Sequence, residues 1–195
     1  LQASGIPRKI AEKIVLKAEK SFYNNIPTSE IHKIIVKLLD QHRFGFSISY
    51  SLKKALFDLG PTGYPFEKYI ARILQEYNFK TQVDQIIQGK CVSHEVDIVA
   101  QREDKTFLIE CKFHNQPRTK SDVKTTLYVN SRFIDIIENR KNKYRSQPYP
   151  WIITNTKFTL DAISYAECRG IKITAWNYPR GKNLQSLIEK KLLYP

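Results

Sequence analysis

The sequence predicts a mixed α/β fold, one sheet with helices packed on it in the order αβββαβαβ, behind an all-helical N-terminal module. Three observations carry this expectation. Residues 1–60 show helical periodicity throughout. Gly60-Pro61-Thr62-Gly63 then gathers two of the seven glycines and punctuates the chain. From residue 64 onward, apolar-rich strand segments alternate with amphipathic helical ones. Two domains are therefore expected, 1–60 and 61–195.

In the first module, Ile10, Ile14, Val15 and Ala18 fall at helical spacing between Ile6 and Phe22, with Pro7 tolerated in the first turn. After Asn24-Asn25-Ile26-Pro27, Thr28 or Ser29 is expected to cap a second helix through Ile31, Ile34, Ile35, Leu38 and Leu39. A third runs from about Ser47 to Leu59. In the second domain, Tyr64 to Tyr77 forms a helix whose core face is Phe66, Ile70, Ile73, Leu74 and Tyr77. Strands follow at roughly 79–87, 92–100 and 106–114. A helix from a Ser121 cap to about Asn139 comes next, then a strand at 150–154, a helix at 159–168 ended by Gly170, and a strand at 171–176.

Composition bounds the function. With 42% apolar residues the 195-residue chain builds a real core, and no run approaches the ~18 apolar residues of a membrane span. It starts at Leu1 and contains no Met, so a piece of a longer protein is expected. Cys91, Cys111 and Cys168 are odd in number and scattered, which argues against a disulfide framework or structural zinc and for a reducing cytoplasm. Thirty-two Lys and Arg against 19 Asp and Glu give a net charge of +13, which makes nucleic acid the first candidate partner and no membrane contact expected.

The chemistry concentrates in SHEVDIVAQREDKTFLIECKFH, residues 93–114. Arg102-Glu103-Asp104-Lys105 reads as a hairpin turn between two strands. In the second strand Phe107, Ile109, Cys111 and Phe113 share a face suited to packing, while Leu108, Glu110, Lys112 and His114 share the other. If the turn is centred between Glu103 and Asp104, cross-strand partners have numbers adding to 207. Asp97 then faces Glu110, and Glu95 faces Lys112. A turn longer by one residue would throw Asp97 to the other face. Two directly opposed carboxylates repel. A hard divalent cation such as Mg²⁺ turns that repulsion into coordination. The plain alternative is a set of exposed strand carboxylates paired to neighbouring cations, with Lys112 paired to Glu95.

Asp97 followed by Glu110-Cys111-Lys112, with Glu67 on the preceding helix, resembles the PD-(D/E)XK nuclease signature. GYPFEKYIARIL, HEVDIVA, FLIECKFH, WIITNTKFT and IKITAWNYP, in that order over about residues 61–180, resemble the Mrr-like branch of the restriction-endonuclease superfamily. Two features depart from its pattern: His94-Glu95-Val96-Asp97 lacks the frequent proline, and residues 121–130 lack a Gln.

The resemblance implies a restriction-endonuclease-like αβββαβ core and a metal-dependent endodeoxyribonuclease of type II or IV character. Asp97 and Glu110 would ligate Mg²⁺ or Mn²⁺, Glu67 would assist as a further ligand, and Lys112 would orient the attacking water. Arg118, Lys120, Lys124, Arg140, Lys141, Lys143 and Arg145 form the densest basic region and are the DNA-backbone candidates. A homodimer is the expectation where both strands are cut. Residues 3–57, through IAEKIV and IPTSEIHKIIVKLL, resemble the second half of an ATP-cone, which implies ATP or dATP regulation in a full-length protein only. A nucleotide-sensing DNA-binding protein with an inactive nuclease fold and a junction-resolving nuclease stay open as alternatives. Asn155-Thr156-Lys157, between a strand and a helix, is either a phosphate-meeting loop or an ordinary capped one.

Overall fold

The computed structural model describes all residues except 2–5, 43 and 140–146. The chain divides into two compact units, Leu1–Asp58 and Leu59–Pro195. The first contains α1 (Arg8–Glu19), α2 (Thr28–Asp40) and α3 (Phe44–Phe57). Its core joins Ile6, Ala11, Ile14 and Leu39, with Ile10, Ile35, Leu38, Phe46 and Tyr50 packed against them. Neither Thr28 nor Ser29 caps α2: Pro27 stands at the N-cap and no side chain accepts there. A proline is favourable at this entrance because its fixed φ is already suited to the turn.

The second unit contains α4 (Tyr64–Glu76), β1 (Lys80–Gln88), β2 (Ser93–Arg102), β3 (Lys105–Lys112), β4 (Lys120–Ser121) and α5 (Val123–Glu138). After them come β5 (Tyr149–Thr154), β6 (Lys157–Phe158), α6 (Leu160–Arg169), β7 (Lys172–Thr174) and α7 (Leu184–Lys191). The main sheet has the order β1-β2-β3-β5-β7. Its first three strands are antiparallel, and β3, β5 and β7 run parallel. The expected mixed sheet with helices packed on it is therefore observed.

Parallel neighbours require crossovers, and α5 and α6 supply them. Both pack on one face of the sheet, where Val129 meets Ile152, Ala162, Ala166 and Ile173, and Phe133 and Ile136 meet Val96, Val99 and Leu108. On the other face Phe66 of α4 packs on Phe113 at 5.5 Å, and Phe79, Phe107 and Trp151 form an aromatic cluster. Tyr69 of α4 and Tyr77 at its C-cap tie down the C-terminal segment by donating to the carbonyls of Leu193 and Leu187.

Further details of the second unit depart from the sequence reading. Asp122, not Ser121, caps α5 by accepting from the Thr125 N–H. Ser121 instead pairs in the small β4–β6 sheet. Helix α7 lies beyond the last expected element.

The Asn155-Thr156-Lys157 segment is a structural joint. Asn155 is fully buried and its amide both accepts from the His114 N–H and donates to the His114 carbonyl, each at 2.9 Å. Asn155→Ala strands both backbone groups. It is expected to cost about 2–3 kcal/mol and to lower the melting temperature by about 5–10 °C, read by circular dichroism.

Candidate active site

The turn Glu103-Asp104 has the expected two-residue length, with Glu103 at φ 54. Cross-strand partners accordingly add to 207, from Arg102–Lys105 to Ile98–Ile109. There the ladder stops, one rung before Asp97 and Glu110. Two irregularities coincide at this level. Val96 and Val99 both pack in the cluster beneath α5, although strict alternation would put residues three apart on opposite faces. Strand β2 therefore changes face at Asp97. On its other side Asp84 stands at φ 52, and the β1–β2 pairing skips it between Val83–Ile98 and Gln85–Val96.

The result is a fork. Beyond Ile98 and Ile109, β2 and β3 no longer pair, and functional side chains occupy the opening. The Asp97 carboxylate accepts from the Cys111 N–H at 2.6 Å, taking over a backbone donor at the fork. Glu110, nearly buried, shares its two oxygens between two cations. Lys112 Nζ donates to Oε1 at 2.6 Å, and Arg132 Nη1 of α5 donates to Oε2. Lys112 pairs with Glu110 and not with Glu95, the partner of the plain alternative, because the register that would place Glu95 opposite it ends at the fork. The side of β3 bearing Glu110 is also not an open face, since α5 covers it.

Electrostatics binds these groups into one site. Burial, then the neighbouring charge of Glu110, raises the Asp97 carboxyl to about 6. Glu67, in the first turn of α4 and half-buried, is raised to about 7 by burial, with Asp97, Asp84, Glu95 and Glu110 adding repulsion. Glu67 thus faces the same cluster from the helix side. Burial also pushes the Cys111 thiol well up, which leaves it a core side chain and not a nucleophile. His114 is half-buried, its ring bonded to the Ser121 hydroxyl at 3.0 Å.

Hard carboxylates crowded at raised pKa suit a hard divalent cation, which relieves their repulsion. Among the described residues, no three His, Cys, Asp or Glu side chains already stand together at metal-binding spacing. Asp97 and Glu110, with Glu67 close by, are the donors such an ion would draw in. Mg²⁺ needs only one or two carboxylates, because it retains water and takes up phosphate oxygens.

Of the basic candidates, Arg118 on the loop after β3, Lys120 in β4 and Lys124 in the first turn of α5 are exposed. Arg140, Lys141, Lys143 and Arg145 lie outside the described residues. The sequence reading missed Arg132 and Asp84. Arg132 carried a signal: it lies within the apolar stripe Val129, Phe133, Ile136 of an amphipathic helix, where an unpaired charge is not tolerated. Asp84 carried none.

A family model described as "Restriction endonuclease" (Mrr_cat) matches residues 61–188. An uncharacterized protein of Archaeoglobus fulgidus is 44% identical over 126 residues, which cover 65% of this chain and 68% of that one. A crystal structure of a protein of unknown function superposes with a TM-score of 0.60 at 41% identity, covering 67% of each chain. The MspJI restriction endonuclease, solved with a 27-mer oligonucleotide, matches with a TM-score of 0.50 at 12% identity, over 89% of this chain and 36% of that one; the likeness is one of fold.

Proposed function

Because the chain belongs to the Mrr_cat restriction endonuclease family, we propose that it is a Mg²⁺- or Mn²⁺-dependent endonuclease that hydrolyses DNA phosphodiesters. The observation that carries this reading is the gathering of Asp97, Glu110 and Lys112 at the opening of the β2–β3 fork, with Glu67 approaching from α4. Asp97, Glu110 and Glu67 would hold the ion, whose chemistry when bound is to lower the pKa of water and neutralise charge on the phosphate. Lys112 would orient the attacking water and stabilise charge developing on the phosphate oxygens. Arg118, Lys120 and Lys124 would contact the DNA backbone, as would Arg140, Lys141, Lys143 and Arg145. Such binding is sequence-tolerant and salt-sensitive. Cutting both strands calls for a homodimer.

The test is nicking of supercoiled plasmid with Mg²⁺ and with EDTA. Mg²⁺-dependent nicking is expected. DNA binding in EDTA without cleavage in Mg²⁺ would favour a binding protein with an inactive nuclease fold. Nucleotide regulation rests on the residues of the N-terminal helices alone, since the family match begins at residue 61. A cytoplasmic location is proposed on the cysteine usage alone; no helix among the described residues is long and apolar enough to cross a membrane.

A pH dependence follows. Carboxyls raised in the folded state bind more protons folded than unfolded, so their contribution falls as pH rises through about 6 for Asp97 and about 7 for Glu67. A bound cation reverses that loss, and only for ionised carboxylates. Saturating Mg²⁺ should therefore raise the melting temperature more at pH 7.5 than at pH 5.5. Equal shifts at the two pH values would contradict ligation by these groups.

A further inference from the structure

Arg132 is the least expected member of the site. It is the charged residue in the apolar stripe of α5, mostly buried, and its guanidinium reaches both prongs of the fork. Nη1 donates to the Glu95 carbonyl of β2 at 2.9 Å and to Glu110 Oε2 of β3, while Nη2 donates to the Tyr128 hydroxyl at 2.8 Å. Nε finds no partner among the described residues. With Lys112 on Oε1, both oxygens of the proposed ligand Glu110 therefore already carry a cation.

We propose that Arg132 is a positioning residue that competes with the divalent metal for Glu110: it fixes the carboxylate and the fork, and sets the metal concentration at which the site loads. The inference rests on the nuclease reading for the identity of the metal site, and goes beyond it in assigning Arg132.

First, an arginine is always charged, and its planar fork can serve a carbonyl, a carboxylate and a hydroxyl at once. Arg132 spans β2, β3 and α5 with one side chain, and so holds the two strand ends at a fixed separation where their own pairing has ceased. Second, Oε2 cannot give its full charge to a metal while donating guanidinium hydrogens point at it. A metal ion entering beside Glu110 meets the repulsion of two cations in a poorly solvated place, where charge interactions are weakly screened. A purely structural ion pair would behave oppositely on removal: the fork would loosen and the metal would bind less well.

Isothermal titration with Mg²⁺, and with Mn²⁺ as a tighter probe, separates the two on the full chain and its Arg132→Gln and Arg132→Lys variants. For Arg132→Gln the dissociation constant is expected to fall about tenfold, the scale of one removed charge contact in a partly buried site. On plasmid DNA, kcat should fall about tenfold with KM for DNA unchanged, because Glu110 is less well fixed while the DNA contacts remain. Arg132→Lys keeps the charge but lacks the planar fork that reaches the three separated partners. Its metal affinity should stay within about twofold of the parent while kcat still falls.

Metal affinity of Arg132→Gln equal to or weaker than the parent overturns the proposal, as does Arg132→Lys binding metal as tightly as Arg132→Gln. If circular dichroism shows that Arg132→Gln does not fold, Arg132→Lys decides. Parental metal affinity with lower kcat supports the proposal, and affinity weakened tenfold or more overturns it. A parent that binds metal but does not cut DNA sinks the nuclease reading alone, since the calorimetry needs no cleavage. A parent and an Arg132→Gln variant that both bind no metal sink the proposal.

Discussion

Asp97→Asn is expected to abolish Mg²⁺ binding and DNA cleavage together, with a rate loss on the order of 10³ or more. The substitution is close to isosteric, and the asparagine carbonyl can still accept from the Cys111 N–H that Asp97 serves at the fork. What is lost is the negative charge. In the parent that charge is costly, because burial and Glu110 raise the Asp97 carboxyl to about 6. Above that pH the variant should therefore melt no lower than the parent when metal is absent. A stable, metal-blind, inactive protein is a combination that general structural damage does not produce. Loss of cleavage with unaltered Mg²⁺ affinity would remove Asp97 from the ligand set.

Lys112→Ala is expected to behave differently. Lysine cannot ligate a cation, and here its ammonium lies 2.6 Å from Glu110 Oε1. Its removal should leave Mg²⁺ bound as tightly as in the parent or slightly tighter. Cleavage should fall by about 10²–10³, or about 3–4 kcal/mol of barrier, the usual effect of deleting one preorganised electrostatic group. Calorimetry and plasmid nicking on the same preparations give both readings. If Lys112→Ala cuts at the parental rate, Lys112 is only a counterion of Glu110 and the proposed mechanism loses its water-orienting group.

The sheet and most of its helices were legible in the sequence, because hydrophobic period and turn chemistry are local properties. The two-residue turn Glu103-Asp104 sufficed to number the β2–β3 register correctly as far as Ile98 and Ile109. The arithmetic then failed at the residues that mattered most. Register assumes an unbroken pleat, and β2 changes face at Asp97 opposite an Asp84 at φ 52. No residue there announces the break: neither position is a glycine or a proline. For Arg132 only its place in an apolar stripe was legible, not what it pairs with. Its partners, Glu95, Glu110 and Tyr128, come from two strands and its own helix, and only packing brings them together. The Ser121 cap was missed by a single position because Asp122, an equally good cap, follows it.

The proposed nuclease requires a divalent cation held in the β2–β3 fork. Crystals of the protein soaked in Mn²⁺ and measured at the manganese absorption edge test this most directly. The account predicts an anomalous peak within about 2.0–2.3 Å of carboxylate oxygens of both Asp97 and Glu110, with Glu67 reaching the ion directly or through a water. At saturating Mn²⁺, a fork without anomalous density, or a peak bound only by residues elsewhere on the chain, would contradict it.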